Sequence, residues 1–106
     1  MNHSIVCGDT LPHLSAVLTQ AGAPIDLTNC TVRFEMKPFA GGDVLGGACV
    51  VDSATAGRIH YEWQAVDTAT IGSYHGQFHI TYGNGDTLTV PTTGVVSVAV
   101  GPRIGT

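Results

Sequence analysis

Apolar and polar residues alternate with a period of two in three stretches of the chain. In residues 30–37, Val32, Phe34 and Met36 are separated by Arg33 and Glu35 and flanked by Thr31 and Lys37, the pattern of a strand with one buried face. Residues 58–63 repeat it, with Ile59, Tyr61 and Trp63 inward and Arg58, His60 and Glu62 outward. Residues 73–82 place Tyr74, Phe78, Ile80 and Tyr82 on one face and His75, Gln77, His79 and Thr81 on the other. Shorter strands are expected at 14–19, 48–52, 87–90 and 95–100, each bounded by Gly, Pro, Asn or Asp. No stretch carries a sustained 3.6-residue apolar stripe. About seven short strands in about 100 residues predict an all-β chain folded as an immunoglobulin-like antiparallel β-sandwich. The expected core contains Val32, Phe34, Ile59, Tyr61, Trp63, Phe78, Ile80 and Leu88. One domain over residues 1–106 follows, with 1–11 as an N-terminal arm and 101–106 as a tail.

Parity also sets one register. A two-residue Asn84-Gly85 turn would pair Ile80 with Thr89 and mix buried with exposed positions. A three-residue loop of Gly83, Asn84 and Gly85 instead pairs Tyr82 with Asp86, Ile80 with Leu88 and Phe78 with Val90, with Gly85 left-handed in a bulge. Tyr74 opens its strand after 67–73 in the manner of a tyrosine corner, whose hydroxyl bonds back to the preceding loop. The glycine-rich stretch 40–47 reads as a loop; it lacks the Lys-Ser/Thr pair of a phosphate-binding loop.

Charge narrows the function classes. Only 11% of the 106 residues are charged, against about 25% in ordinary domains. The four basic residues, Arg33, Lys37, Arg58 and Arg103, are too scattered to neutralise a run of phosphates or hold an anionic membrane, which argues against nucleic-acid and membrane partners. Residues 1–8 contain neither a basic nor an extended apolar region, so no secretory signal is read there and cytoplasmic synthesis is expected. The spacing of Cys7, Cys30 and Cys49 fits no metal motif and predicts free thiols, with Cys30 on core parity. Neither a nucleophile elbow nor a metalloprotease motif occurs, and Glu35 and Glu62 sit at outward positions, so no enzyme activity is expected. Cys7, His3 and His13 are too unspecific a group to define a nucleophile. His75 and His79, four apart on one strand, are about 13 Å apart, too far to share an ion, and His13 lies in sequence without a clear pattern. Neither a metal nor a cofactor is expected.

Several motifs occur in order: Gly8-Asp-Thr10, Ala21-Gly-Ala-Pro-Ile-Asp-Leu-Thr28, Thr31-Val-Arg-Phe-Glu-Met36, Asp52 with Gly57-Arg-Ile-His-Tyr61, Asp67-Thr68, Gly72-Ser-Tyr74, Phe78 and Pro91. From about Asp9 to about Val100 this order resembles the N-terminal domain of phage baseplate upper proteins. The resemblance implies a virion structural protein made in the host cytoplasm. Members of the family generally continue into further domains, and this sequence ends at Thr106, which leaves a tail or baseplate adaptor, a capsid decoration (cement) protein and a head-fibre base as the expected roles. The expected partners are other virion proteins, either the major capsid protein or a tail or baseplate protein, together with further copies of the chain as a homo-oligomer in the particle. Neutral, uncharged strand segments leave sheet edges without electrostatic protection and fit that role. Candidate contact residues are Asn2, His3, Ile5 and Val6 near the start and Thr92, Val95, Val96, Arg103 and Ile104 near the end. The alternative is a small host-receptor or glycan-binding module that uses an outward strip of His60, His75, Gln77 and His79.

Overall fold

The structure, a computed structural model, describes residues 2–90, 96–102 and 104. The described residues form eleven strands: β1 (Asn2–Val6), β2 (Leu14–Val17), β3 (Thr19–Gln20), β4 (Ala23–Pro24), β5 (Thr31–Pro38), β6 (Leu45–Ala48), β7 (Val50–Ser53), β8 (Arg58–Tyr61), β9 (Gly72–Thr81), β10 (Thr87–Val90) and β11 (Val96–Gly101). One sheet runs β1-β11-β9-β5-β6, with β10 beside the second half of β9. A three-stranded sheet, β2-β8-β7, closes over it, and β3 pairs with β4 alone. The chain is an all-β sandwich, as the alternation predicts.

The long strands carry the core. Val32, Phe34 and Met36 from β5 lie in register with Ile80, Phe78 and Gly76 of β9, and all six residues are buried. Ile59 and Tyr61 of β8, with Trp63 just beyond it, face them from the second sheet. The Phe34 ring lies 5.3 Å from Tyr61, 5.8 Å from Trp63 and 5.2 Å from Phe78, and so joins the two sheets through tilted and edge-on aromatic contacts. Leu88, expected in the core, is only half-buried, because β10 lies beside the outer half of β9.

The turn between β9 and β10 has the expected register. Leu88 pairs with Ile80 and Val90 with Phe78, the Tyr82 amide donates to the Asp86 carbonyl at 2.8 Å and Gly85 has φ +94°. A Cβ at Gly85 meets open space, so its conformation alone resists substitution. Gly85→Ala is expected to cost about 1–2 kcal/mol, and Gly83→Ala, where φ is not positive, clearly less; urea unfolding of the two variants checks this.

Five expectations are corrected. Residues 2–6 are not a detached arm: they form β1 and pair in parallel with β11, from Asn2 opposite Ser97 to Val6 opposite Gly101, with Ile5 in the core. The expected tail starts one residue too early, since Gly101 still belongs to β11. The glycine-rich loop ends early because Leu45–Ala48 pair with β5, and the strand expected at 48–52 becomes two strands in different sheets, with the Cys49 amide bonded to the Val32 carbonyl at the crossing. Cys30 is half-buried at the start of β5, its thiol donating to the Thr28 carbonyl.

Residues 21–28 hold the small sheet against the core. Ala21 and Gly22, with φ +53° and +82°, form the two-residue turn between β3 and β4. Gly57 packs so closely on this segment that a Cβ would lie 2.7 Å from the Leu18 carbonyl oxygen and 3.0 Å from that of Ile25. Asp26 then accepts from the Thr28 hydroxyl at 2.6 Å and the Thr28 amide at 3.0 Å. These two bonds, the hydroxyl's first, hold its carboxyl below the usual range. A depressed folded pKa contributes stability above the unfolded value near 3.9, and the contribution is lost as pH falls through the folded one. The stability deficit of Asp26→Ala is therefore expected to be present at about pH 7 and to shrink towards about pH 3, as denaturant melts at the two pH values would show.

Candidate interaction surfaces

The register of β5 and β9 builds one polar face. Arg33 lies opposite His79, Glu35 opposite Gln77 and Lys37 opposite His75. Glu35 is 3.8 Å from Arg33 and 3.9 Å from His79, and the His79 Nδ1 lies 3.1 Å from the Thr89 hydroxyl. The Phe39 ring packs on His75 at 3.6 Å. Glu35, Lys37, Phe39, His75, Gln77 and His79, with Pro38 and Val44, line an open groove of about 330 Å³. Three of the four residues in the expected strip, His75, Gln77 and His79, are therefore together. His60 is not with them: β8 belongs to the three-stranded sheet, and its outward positions point away on the other side of the core.

A second groove, of about 520 Å³, lies at one end of the sandwich between residues 38–45 and 66–74. Phe39, Val66 and Ile71 line it and are each more than half exposed, while Leu45 and Tyr74 form deeper parts of its wall. Tyr74 fixes this end, its hydroxyl donating to the Thr70 carbonyl at 2.7 Å as a tyrosine corner does. The 64–70 segment is tied down by buried polar groups that the sequence did not single out as structural. Asp67 accepts from the buried Tyr61 hydroxyl and, at 2.9 Å, from the Gln64 amide. Burial, and then the Asp67 hydrogen bond, push the Tyr61 phenol well above its ordinary pKa. The fully buried Thr68 donates to the Asp9 carbonyl at 2.9 Å, and its own carbonyl accepts from Gly8.

The candidate contact residues divide. Asn2 and Val6 are exposed on β1, an edge strand without charge or proline, and Ile104 is almost fully exposed. Ile5 and Val96 are buried in the core and are withdrawn as contacts, since their inward parity on β1 and β11 commits them to packing. His3 is half-buried, with its ring 5.4 Å from that of Trp63; burial lowers its pKa, opposed by a hydrogen bond to Pro12. Thr92, Val95 and Arg103 lie outside the described residues.

The three cysteines are free thiols. Cys7 does not meet a histidine; its thiol donates to the Ala69 carbonyl at 3.4 Å. Burial pushes the Cys49 thiol up to about 12. His13, which showed no pattern in the sequence, stacks on His60 with ring centroids 5.2 Å apart and planes 9° from parallel. His60 is also held between two carboxylates, Nδ1 2.8 Å from Asp52 and Nε2 3.0 Å from Glu62, which together raise its pKa, Glu62 most. The signal for this cluster is a register: Leu14 pairs with Tyr61 and Ser15 with His60, so the preceding outward residue, His13, arrives beside Glu62.

Two sheets closed over an aromatic core, with a tyrosine corner at one end, define a β-sandwich of immunoglobulin-like type. Within that class the chain belongs to the BppU N-terminal domain family, that of baseplate upper proteins, which it matches over residues 4–100. Membership makes it a phage baseplate structural protein and associates it with the virion. Comparison with curated proteins found no match.

Proposed function

We propose that the chain is a non-enzymatic adaptor that joins other baseplate proteins through the apolar end of the sandwich, with the uncharged edge of β1 as a second contact. The observation that carries this reading is the grouping of Phe39, Val66 and Ile71, all largely exposed, around one groove. On a surface with so little charge, a contiguous apolar patch is a protein contact rather than an accident of composition. The tyrosine corner and the Asp67 bonds hold the groove wall rigid, which lowers the entropy cost of docking.

The test is incorporation into particles of a chain carrying Phe39→Ser and Ile71→Ser. Both side chains are exposed, so circular dichroism should show the fold unchanged, while binding to the neighbouring virion protein falls by about 10-fold or more. Normal incorporation would overturn the reading. If such particles assembled fully but failed to adsorb to the host, the groove lined by His75, Gln77 and His79 would become the better candidate, as a receptor site. Electron microscopy of particles with a labelled chain should place it at the baseplate; label over the capsid would mean a decoration protein instead.

A further inference from the structure

We propose that the outer face of the three-stranded sheet carries a site for zinc or a similar divalent transition metal, formed by His13, His60 and Glu62 and braced by Asp52. One ligand atom from each of the first three residues lies within 4.8 Å of the other two. The His60 Nε2 to Glu62 Oε2 distance is 3.0 Å. Zinc bonds of about 2.0–2.2 Å to nitrogen and carboxylate oxygen set adjacent tetrahedral ligands roughly 3.3 Å apart, so the His60 and Glu62 atoms need to part by only a few tenths of an ångström to admit an ion. The His13 ligand atom lies within 4.8 Å of the other two, and its exposed ring, now stacked on that of His60, turns to aim its lone pair at the same point.

Asp52 supplies the feature that separates a metal site from a chance pair of histidines. Both of its oxygens lie within 2.9 Å of the His60 Nδ1, and because a carboxylate only accepts, it keeps the proton on Nδ1 and turns the Nε2 lone pair towards Glu62 and His13. A carboxylate behind a ligating imidazole is the usual second layer of such sites, where it fixes the tautomer and raises ligand basicity. Two imidazoles and one carboxylate suit zinc, nickel or copper and are poor ligands for magnesium or calcium. His13 and Glu62 are exposed, so the fourth position opens to solvent and is filled by water. The competing arrangement has no metal: a doubly protonated His60 that donates Nδ1–H to Asp52 and Nε2–H to Glu62.

Titration calorimetry of the chelator-treated chain with zinc chloride separates the two. One zinc ion per chain is expected, with no comparable binding of magnesium or calcium. His13→Ala and Glu62→Gln should each weaken zinc binding at least about 10-fold, Asp52→Asn by about 10–100-fold, and His75→Ala, on the other sheet, not at all. Zinc affinity that is unchanged in the His13 and Glu62 variants overturns the proposal, as does binding of magnesium equal to that of zinc. Cobalt substitution in the unaltered chain needs no variant to fold: intense visible bands of four-coordinate cobalt support the site, and their absence at saturating cobalt overturns it.

Discussion

Phe34→Ala should lower the unfolding free energy by about 3–5 kcal/mol, a large part of the stability of a domain this size. The ring is fully buried and touches Tyr61 of one sheet, Trp63 just beyond it and Phe78 of the other, so its loss leaves a cavity between two rigid layers that cannot collapse. Gly76 makes the effect specific. A Cβ there would sit 2.6 Å from the Phe34 ring, which means that the glycine exists to admit the ring. Gly76→Ala alone should therefore destabilise by overpacking, about 1–3 kcal/mol, and should cost less in a Phe34→Ala background. Urea unfolding of the single and double variants gives the coupling; strict additivity would show that the ring and the glycine do not share this space.

Gly46→Ala is the second large effect. Gly46 pairs with Glu35 at φ +127°, and a Cβ would lie 2.0 Å from the Phe34 carbonyl oxygen and 2.9 Å from its carbon. Backbone cannot swing aside as a side chain can, so β6 must leave β5. Overpacking of about 1–3 kcal/mol and a left-handed penalty of about 1–2 kcal/mol together give roughly 2–5 kcal/mol. Gly47 is the internal control: its Cβ would meet only the Tyr61 ring at 3.7 Å, an ordinary contact, and Gly47→Ala should cost under about 1 kcal/mol. Hydrogen exchange should show β6 amides losing protection in the first variant and keeping it in the second.

The legible parts of this fold are those where neighbouring residues carry the signal. Alternation in β5, β8 and β9 marks which residues face inward, and parity across the Tyr82–Asp86 turn sets its register. Tyr74 is readable because the loop it bonds to precedes it directly. Alternation says nothing about which sheet a strand joins, and for that reason the outward residues His60 and His75 look like neighbours in the sequence when they lie on opposite sides of the core. The same gap hid the meeting of His13 with Glu62, which depends on β2 lying beside β8. β1 was missed for a further reason: only Ile5 of its five residues is buried, and its partner strand is at the far end of the chain. The buried Asp67 was unreadable because its reason, the Tyr61 hydroxyl, comes from packing.

The parallel pairing of β1 with β11 has a mechanical consequence. The two strands lie side by side over five residue pairs, and the pairing continues through the Cys7 amide to the Gly101 carbonyl. Because they run in the same direction, tension applied through the chain before Asn2 and after Gly101 pulls neighbouring strands past each other along their length. The evenly spaced hydrogen bonds of a parallel pair are then strained together, whereas a hairpin pulled from its open end gives way one bond at a time. A domain tethered on both sides would hold such a pull in shear, and it would yield only when the whole β1–β11 seam slipped at once.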